Sequence, residues 1–119
     1  MTECNVLYPG ANLTYIDSAS VDNFIKHTFL LPGQSSDFIY IGLKDMSGTD
    51  SDSSHIWMQT GKSITDYGYS NWHTHAPYWT YKTCVCYRRH PTYGWAWRDI
   101  SCSTSLPFIC DVGKAIMIV

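Results

Sequence analysis

Trp95-Ala96-Trp97-Arg98-Asp99-Ile100-Ser101-Cys102-Ser103-Thr104-Ser105-Leu106-Pro107-Phe108-Ile109-Cys110 is the stretch whose reading decides the fold. Trp95–Trp97 and Phe108–Cys110 are short runs of aromatic and β-branched residues and read as strands. Cys102 and Cys110 punctuate the stretch, and Cys4, Cys84 and Cys86 lie outside it. Five cysteines in 119 residues point to an oxidising compartment. Buried cytosolic thiols or a zinc site are the alternatives, but a zinc knuckle needs a matching second pair, and the spacings offer none. The count is odd. One thiol is therefore left over or pairs outside this chain.

Working outward, Phe38–Leu43, His55–Met58 and Cys84–Tyr87 also read as strands. Helical period shows once, where Val21, Phe24, Ile25 and Thr28 fall on one apolar stripe. Ser18 and Ser20 both offer an N-cap oxygen, Asp22 suits the helix dipole, and Leu31-Pro32-Gly33 stops the helix. Between Met58 and Lys82 runs a stretch of Gly, Ser, Thr, Tyr, Trp and His without period. A loop of that length inside a small domain is usually functional or anchored by its own side chains. One helix, several short strands and one long loop make an α+β fold. No repeat or linker divides it, so residues 1–119 form one domain.

Charged residues are only 15% of the chain and aromatics another 15%. Such a chain buries a core. A net charge of −2 gives no electrostatic reason to expect nucleic acid or an anionic membrane. No apolar run is long enough to span a bilayer. Nor does any serine stand in a Gly-x-Ser-x-Gly elbow or other nucleophile signature, so an enzyme is not expected. Met1-Thr2-Glu3-Cys4 carries no export signal, which suggests a mature fragment or a trimmed chain. Asn12-Leu13-Thr14 is a glycosylation sequon, with Asn12 as acceptor.

In order along the chain, these residues resemble the C-type lectin-like domains. Gly10, Leu13, Ile16 and Ser18 after Cys4 look like the passage from the first helix to the second. Tyr40-Ile41-Gly42-Leu43 resembles the family's Trp-Ile-Gly-Leu signature, with Tyr in place of Trp. Trp57, Gly61 and Tyr69-Ser70-Asn71-Trp72 resemble the scaffold of its long loop. Cys84-Val85, Trp97-Arg98-Asp99, Cys102 and Pro107-Phe108-Ile109-Cys110 resemble its closing half. The match runs over about residues 4–111. The usual first strand and most of the first helix are missing, which makes Ala115–Val119 an expected apolar edge.

The resemblance implies a small disulfide-stapled fold of antiparallel sheets with one or two helices. It also implies pairing of Cys4 with Cys110 and of Cys84 with Cys102. Alternation puts Cys86 on the same side as Cys84, so Cys86 could compete for Cys102. Left over, Cys86 is either a trapped thiol or an interchain bridge making a disulfide-linked dimer.

Family members that bind sugar through calcium surround the ion with about six to eight oxygens. They take them from a Glu-Pro-Asn or Gln-Pro-Asp triplet, a Glu before the third cysteine, and Trp-Asn-Asp. Here those positions read Ala76-Pro77-Tyr78, Trp79-Thr80-Tyr81-Lys82-Thr83 and Trp97-Arg98-Asp99. Only Asp99 survives, and Arg98 puts a cation where a ligand should be. The standard calcium site is expected to be absent, and no cofactor is expected. Asp45, Asp50, Asp52 and Asp66 are oxygen donors for a different calcium site, but Asp in loops is mostly a turn former. His73 and His75 would hold zinc only with further ligands, and none lies within sequence reach.

Trp72, Trp95 and Trp97 read as core, whereas Tyr78, Trp79 and Tyr81 are candidates for exposure. Rimmed by Lys82, Arg88, Arg89 and Arg98, such aromatics have the composition of a binding surface. The expected function is an extracellular, secreted carbohydrate-recognition module that works without the bridging calcium. His73, His75, Arg98 and Asp99 would hydrogen-bond the ligand, and Tyr78, Trp79 or Tyr81 would stack on it. A protein-recognition domain using the same patch is the alternative, and a structural matrix module is the second.

Overall fold

Ser18 opens helix α1 (Ala19–Thr28): its backbone is extended and its hydroxyl accepts from the Val21 amide at 3.3 Å. This computed structural model describes Cys4, residues 12–30, 36–77 and 82–111, and the backbone of 116–118. Helix α1 buries only part of the stripe its apolar spacing suggests, with Val21 and Ile25 packed on the core. Phe24 is 54% exposed and Thr28 is exposed, while Asp22 and Ile25 are buried. The helix is turned so that a carboxylate goes inward, where partners from distant segments satisfy it. The Leu31-Pro32-Gly33 stop lies outside the described residues.

Two antiparallel sheets follow. Strands β2 (Phe38–Asp45), β3 (His55–Trp57), β4 (Cys84–His90) and β5 (Gly94–Ile100) assemble in the order β3-β2-β4-β5. Strands β1 (Asn12–Leu13), β6 (Ile109–Asp111) and β7 (Ile116–Ile118) assemble as β1-β6-β7. Each expected strand is present. Strand β4 continues three residues past Tyr87, paired with β5 as far as His90 opposite Gly94. At the expected C-terminal edge, β7 pairs with β6 from Ile109–Ile118 to Asp111–Ile116 and lies outermost among the described strands.

The core lies between α1 and the larger sheet. Ile16, Ile25, Ile39, Ile41, Leu43, Trp57, Val85, Tyr87, Trp97 and Ile109 are all fully buried. Burying each such side chain stabilises by roughly 1.5–3 kcal/mol. Trp57 meets Trp97 edge-on at 5.5 Å, and Trp72 and Trp95 pack against the same cluster as partly buried residues. Gly42 explains itself. A Cβ there would stand 2.7 Å from the Thr14 carbonyl oxygen, which accepts the Gly42 amide at 3.1 Å. Tyr40, in the Trp position of the signature, is 7% exposed, and its hydroxyl donates to Thr104 O at 2.5 Å. The phenol thus holds the turn that carries Cys102.

Cys4 is bonded to Cys110 and Cys84 to Cys102, as the resemblance implies. The first bridge joins residues 106 apart, so it removes much freedom from the unfolded chain. Cys86 is free and fully buried. Burial pushes its thiol up to about 12. That burial favours the trapped-thiol alternative over the interchain bridge. Asn12 is exposed at the start of β1, whereas Thr14 of the same sequon is buried.

Candidate ligand-binding site

The long loop is anchored at three points. At its start, Ser63 caps the short helix α2 (Ile64–Tyr67) in a reciprocal capping box with Asp66, and Gly68 closes it in the left-handed region at φ 72°. Sequence period could not show a helix of four residues, although Ser-x-x-Asp marks its start. At its middle, Tyr69 and Asn71 reach Asp22 on α1. The Tyr69 hydroxyl donates at 2.6 Å and the Asn71 amide at 2.7 Å. Tyr87 also donates to Asp22, and Lys26 pairs with it at 3.1 Å. At its far side, the loop runs along β5: Trp97 donates to Asn71 O at 2.7 Å, and His73 donates back to Trp97 O at 2.9 Å.

These anchors put the loop's next residues over the β4–β5 hairpin. A pocket of 330 Å³ opens there, lined by His73, Thr74, His75, Ala76, Arg88, His90, Tyr93, Arg98 and Asp99. Strand alternation explains the sheet's share, since Arg88 and His90 project from one face of β4. Four sequence-expected residues, His73, His75, Arg98 and Asp99, therefore meet in one cavity. Arg88, His90 and Tyr93 join them. Tyr78, Trp79 and Tyr81 lie outside the described residues.

The pocket's imidazoles are not equivalent. His73 is 9% exposed, and its Nε2 donates to the Arg88 carbonyl at 2.9 Å. Burial holds its pKa below the ordinary value, helped by the nearby charges of Arg88, His90 and Arg98. His73 is thus a neutral wall that ties loop to strand. His90 turns Nδ1 toward the backbone, where the amides of Thr92 and Tyr93 donate at 3.0 and 3.3 Å. Accepting at Nδ1 leaves the proton on Nε2, a donor. Tyr93, 68% exposed, lies against the His90 ring at 4.6 Å. His75 is exposed at φ 70°, one residue before the cis Ala76-Pro77 bond.

Arg88 lies over Phe38 at 5.9 Å, and Arg89 points away, joined to Asp37 at 2.6 Å and resting on Trp95. Among the described residues, Arg88 and Arg98 form no ion pair. Among the described residues Asp99 is the one carboxylate in the lining, and it is 2% exposed. Two guanidinium groups, three imidazoles and one buried carboxylate are a poor donor set for a hard cation. Among the described residues, no group of three or more His, Cys, Asp or Glu is placed to hold a metal ion.

Of the four aspartates weighed as another calcium site, Asp45, Asp52 and Asp66 have other work, while Asp50 Oδ1 is buried without a hydrogen-bond partner among the described residues. Asp45 accepts from Ser54 Oγ at 2.7 Å and from the amides of Gly48 and Asp50 at 2.9 and 3.0 Å. Burial would raise its carboxyl, but these bonds hold it below the ordinary value. Asp52 accepts from the Trp72 indole at 3.2 Å, and Asp66 caps α2. Asp50 has its carboxyl raised by burial first, then by Asp99 and Asp45.

The chain matches the Lectin C-type domain over residues 1–112. It belongs to the C-type lectin domain family. C-type lectin domain family 6 member A of Homo sapiens is 25% identical over 113 residues, covering 95% of this chain and 50% of that protein. The chain thus spans half the length of that curated relative. The crystal structure of the C-type lectin domain of murine dendritic cell inhibitory receptor 2 in complex with N-glycan superposes with a TM-score of 0.66. Identity is 26%, over 86% of this chain and 70% of that one. Human lithostathine shares the fold at a TM-score of 0.72 and 20% identity, covering 91% of this lectin domain and 76% of its own chain. Among the described residues, no helix of the domain is long and apolar enough to cross a membrane.

Proposed function

We propose that the pocket between residues 73–76 and the β4–β5 hairpin is a carbohydrate-recognition site that works without a bridging calcium ion. The observation that carries this reading is the convergence of Arg88, Arg98, His75 and His90 on one cavity that holds, among the described residues, a single buried carboxylate. Such a lining offers many N–H donors to sugar hydroxyls and few oxygens to a cation. Exposed Tyr93 gives the rim a flat apolar face on which a sugar ring can rest. A relative of the same fold is known in complex with N-glycan, which supports the ligand class. Two disulfides and an exposed sequon asparagine support an extracellular, secreted setting. The domain acts by binding and not by catalysis.

A glycan array in calcium and again in chelator tests the reading. Binding in both conditions, lost with Arg98→Ala, is the expected result. Binding abolished by chelator would contradict the calcium-free mode. No binding in either condition would move the surface to a protein partner.

A further inference from the structure

We infer that the ligand of this pocket carries an anionic group, a carboxylate or a sulfate ester on a sugar, held between Arg88 and Arg98. This rests on the glycan reading above and narrows it. The whole chain carries a net charge of −2, yet its pocket gathers cations. Arg88 and Arg98 come from neighbouring strands: Arg98 pairs with Cys86 and Arg88 with Ala96, so both rise from one face, two residues apart along the ladder. Arg89, next in sequence, points elsewhere and is neutralised by Asp37. The same protein therefore provides a paired arginine as comparison for two that form no ion pair among the described residues.

A guanidinium is a planar fork that matches the two oxygens of a carboxylate or sulfate, and a charge-assisted bond of that kind is about twice as strong as a neutral one. Neutral sugar hydroxyls do not require two such groups. His90 adds a third donor without needing a second proton, because the Thr92 and Tyr93 amides fix its Nδ1 as acceptor. Asp99, the one opposing charge in the lining among the described residues, is 2% exposed.

Titration calorimetry in chelator with three probes tests the inference: lactose, 3′-sialyllactose and lactose 3′-sulfate. At least one anionic probe should bind about tenfold tighter than lactose and weaken as salt is raised. Arg98→Gln should remove that advantage, weakening the anionic probe by a larger factor than lactose, while Lys62→Ala, outside the pocket, should change neither. A preference for sialyllactose or for the sulfate identifies which anion is read. Equal affinity for all three would overturn this inference and leave the glycan site standing. If none of the three binds, in chelator or in calcium, the glycan reading falls and this one with it.

Discussion

The carboxylate of Asp22 on helix α1 accepts the hydroxyl of Tyr69 in the long loop at 2.6 Å, across 47 residues of sequence. Asn71, Tyr87 and Lys26 complete its shell, and Asp22 itself is fully buried. A charge taken out of water is tolerable only when its oxygens are this well occupied. Asp22 thereby fixes the loop two residues before His73, and the pocket wall inherits its position from it.

Removing that acceptor strands two phenols, an amide and an ammonium group. Asp22→Ala should lower stability by about 3–5 kcal/mol, read from the urea midpoint at constant slope. A loss below about 1 kcal/mol would show that the loop is held by something else.

Alkaline pH should act on the same network. Tyr69 and Tyr87 both have their phenols raised above the ordinary value of 10.0, by burial first and then by Asp22. Above pH 10 the unfolded chain releases protons that the folded one retains, so stability present below that pH is lost as pH rises. Unfolding free energy measured upward from pH 10 should fall, and Tyr87→Phe should make the fall shallower. An unchanged slope in that variant would contradict the assignment.

His73 gives the acid side. Its folded pKa lies below the ordinary 6.5, so beneath that pH the unfolded chain binds a proton that the folded chain refuses. Stability should therefore decline as pH falls from 6.5 toward the folded pKa. His73→Gln, which can still donate to Arg88 O, should flatten this dependence. A wild-type stability constant through that window would mean that His73 is accessible to protons in the fold.

Cys86 should behave as an enclosed thiol. A thiol-reactive dye should label the native chain very slowly and label one site after unfolding without reductant. Non-reducing gels should show monomer, and Cys86→Ala should leave that unchanged. Fast labelling of the native chain, or a dimer lost with Cys86→Ala, would contradict the burial seen here.

Much of this molecule was legible in its sequence, because strands, cysteines and signature residues are local signals. The α+β class came from the helix and strand signals, the disulfide pairing came through the resemblance, and alternation correctly kept Val85 off the face of Cys84 and Cys86. Helix α1 was placed correctly, and of its apolar stripe Val21 and Ile25 pack on the core while Phe24 and Thr28 do not. Apolar spacing assigned Phe24 inward and could not value Asp22, whose Tyr69, Asn71 and Tyr87 partners lie 47, 49 and 65 residues away. His90 was missed because the strand seemed to end at Tyr87, where the apolar residues stop. Carrying the alternation one step past Arg88 would have placed it on the same face as Arg88 and Arg98. Tyr93 stands in the hairpin turn and gave no periodic signal.

A sugar held without a calcium bridge in the pocket of His75, Arg88, His90, Tyr93 and Arg98 would touch side chains that nuclear magnetic resonance can follow one by one. Side-chain resonances of histidine and arginine in a 15N-labelled chain test for it most directly, titrated in chelator with the tightest glycan from the array. The account predicts saturable shifts at His75, His90, Arg88 and Arg98, with Arg89 and His27 unmoved. Shifts confined to other residues, or shifts at these four only after calcium is added, would contradict it.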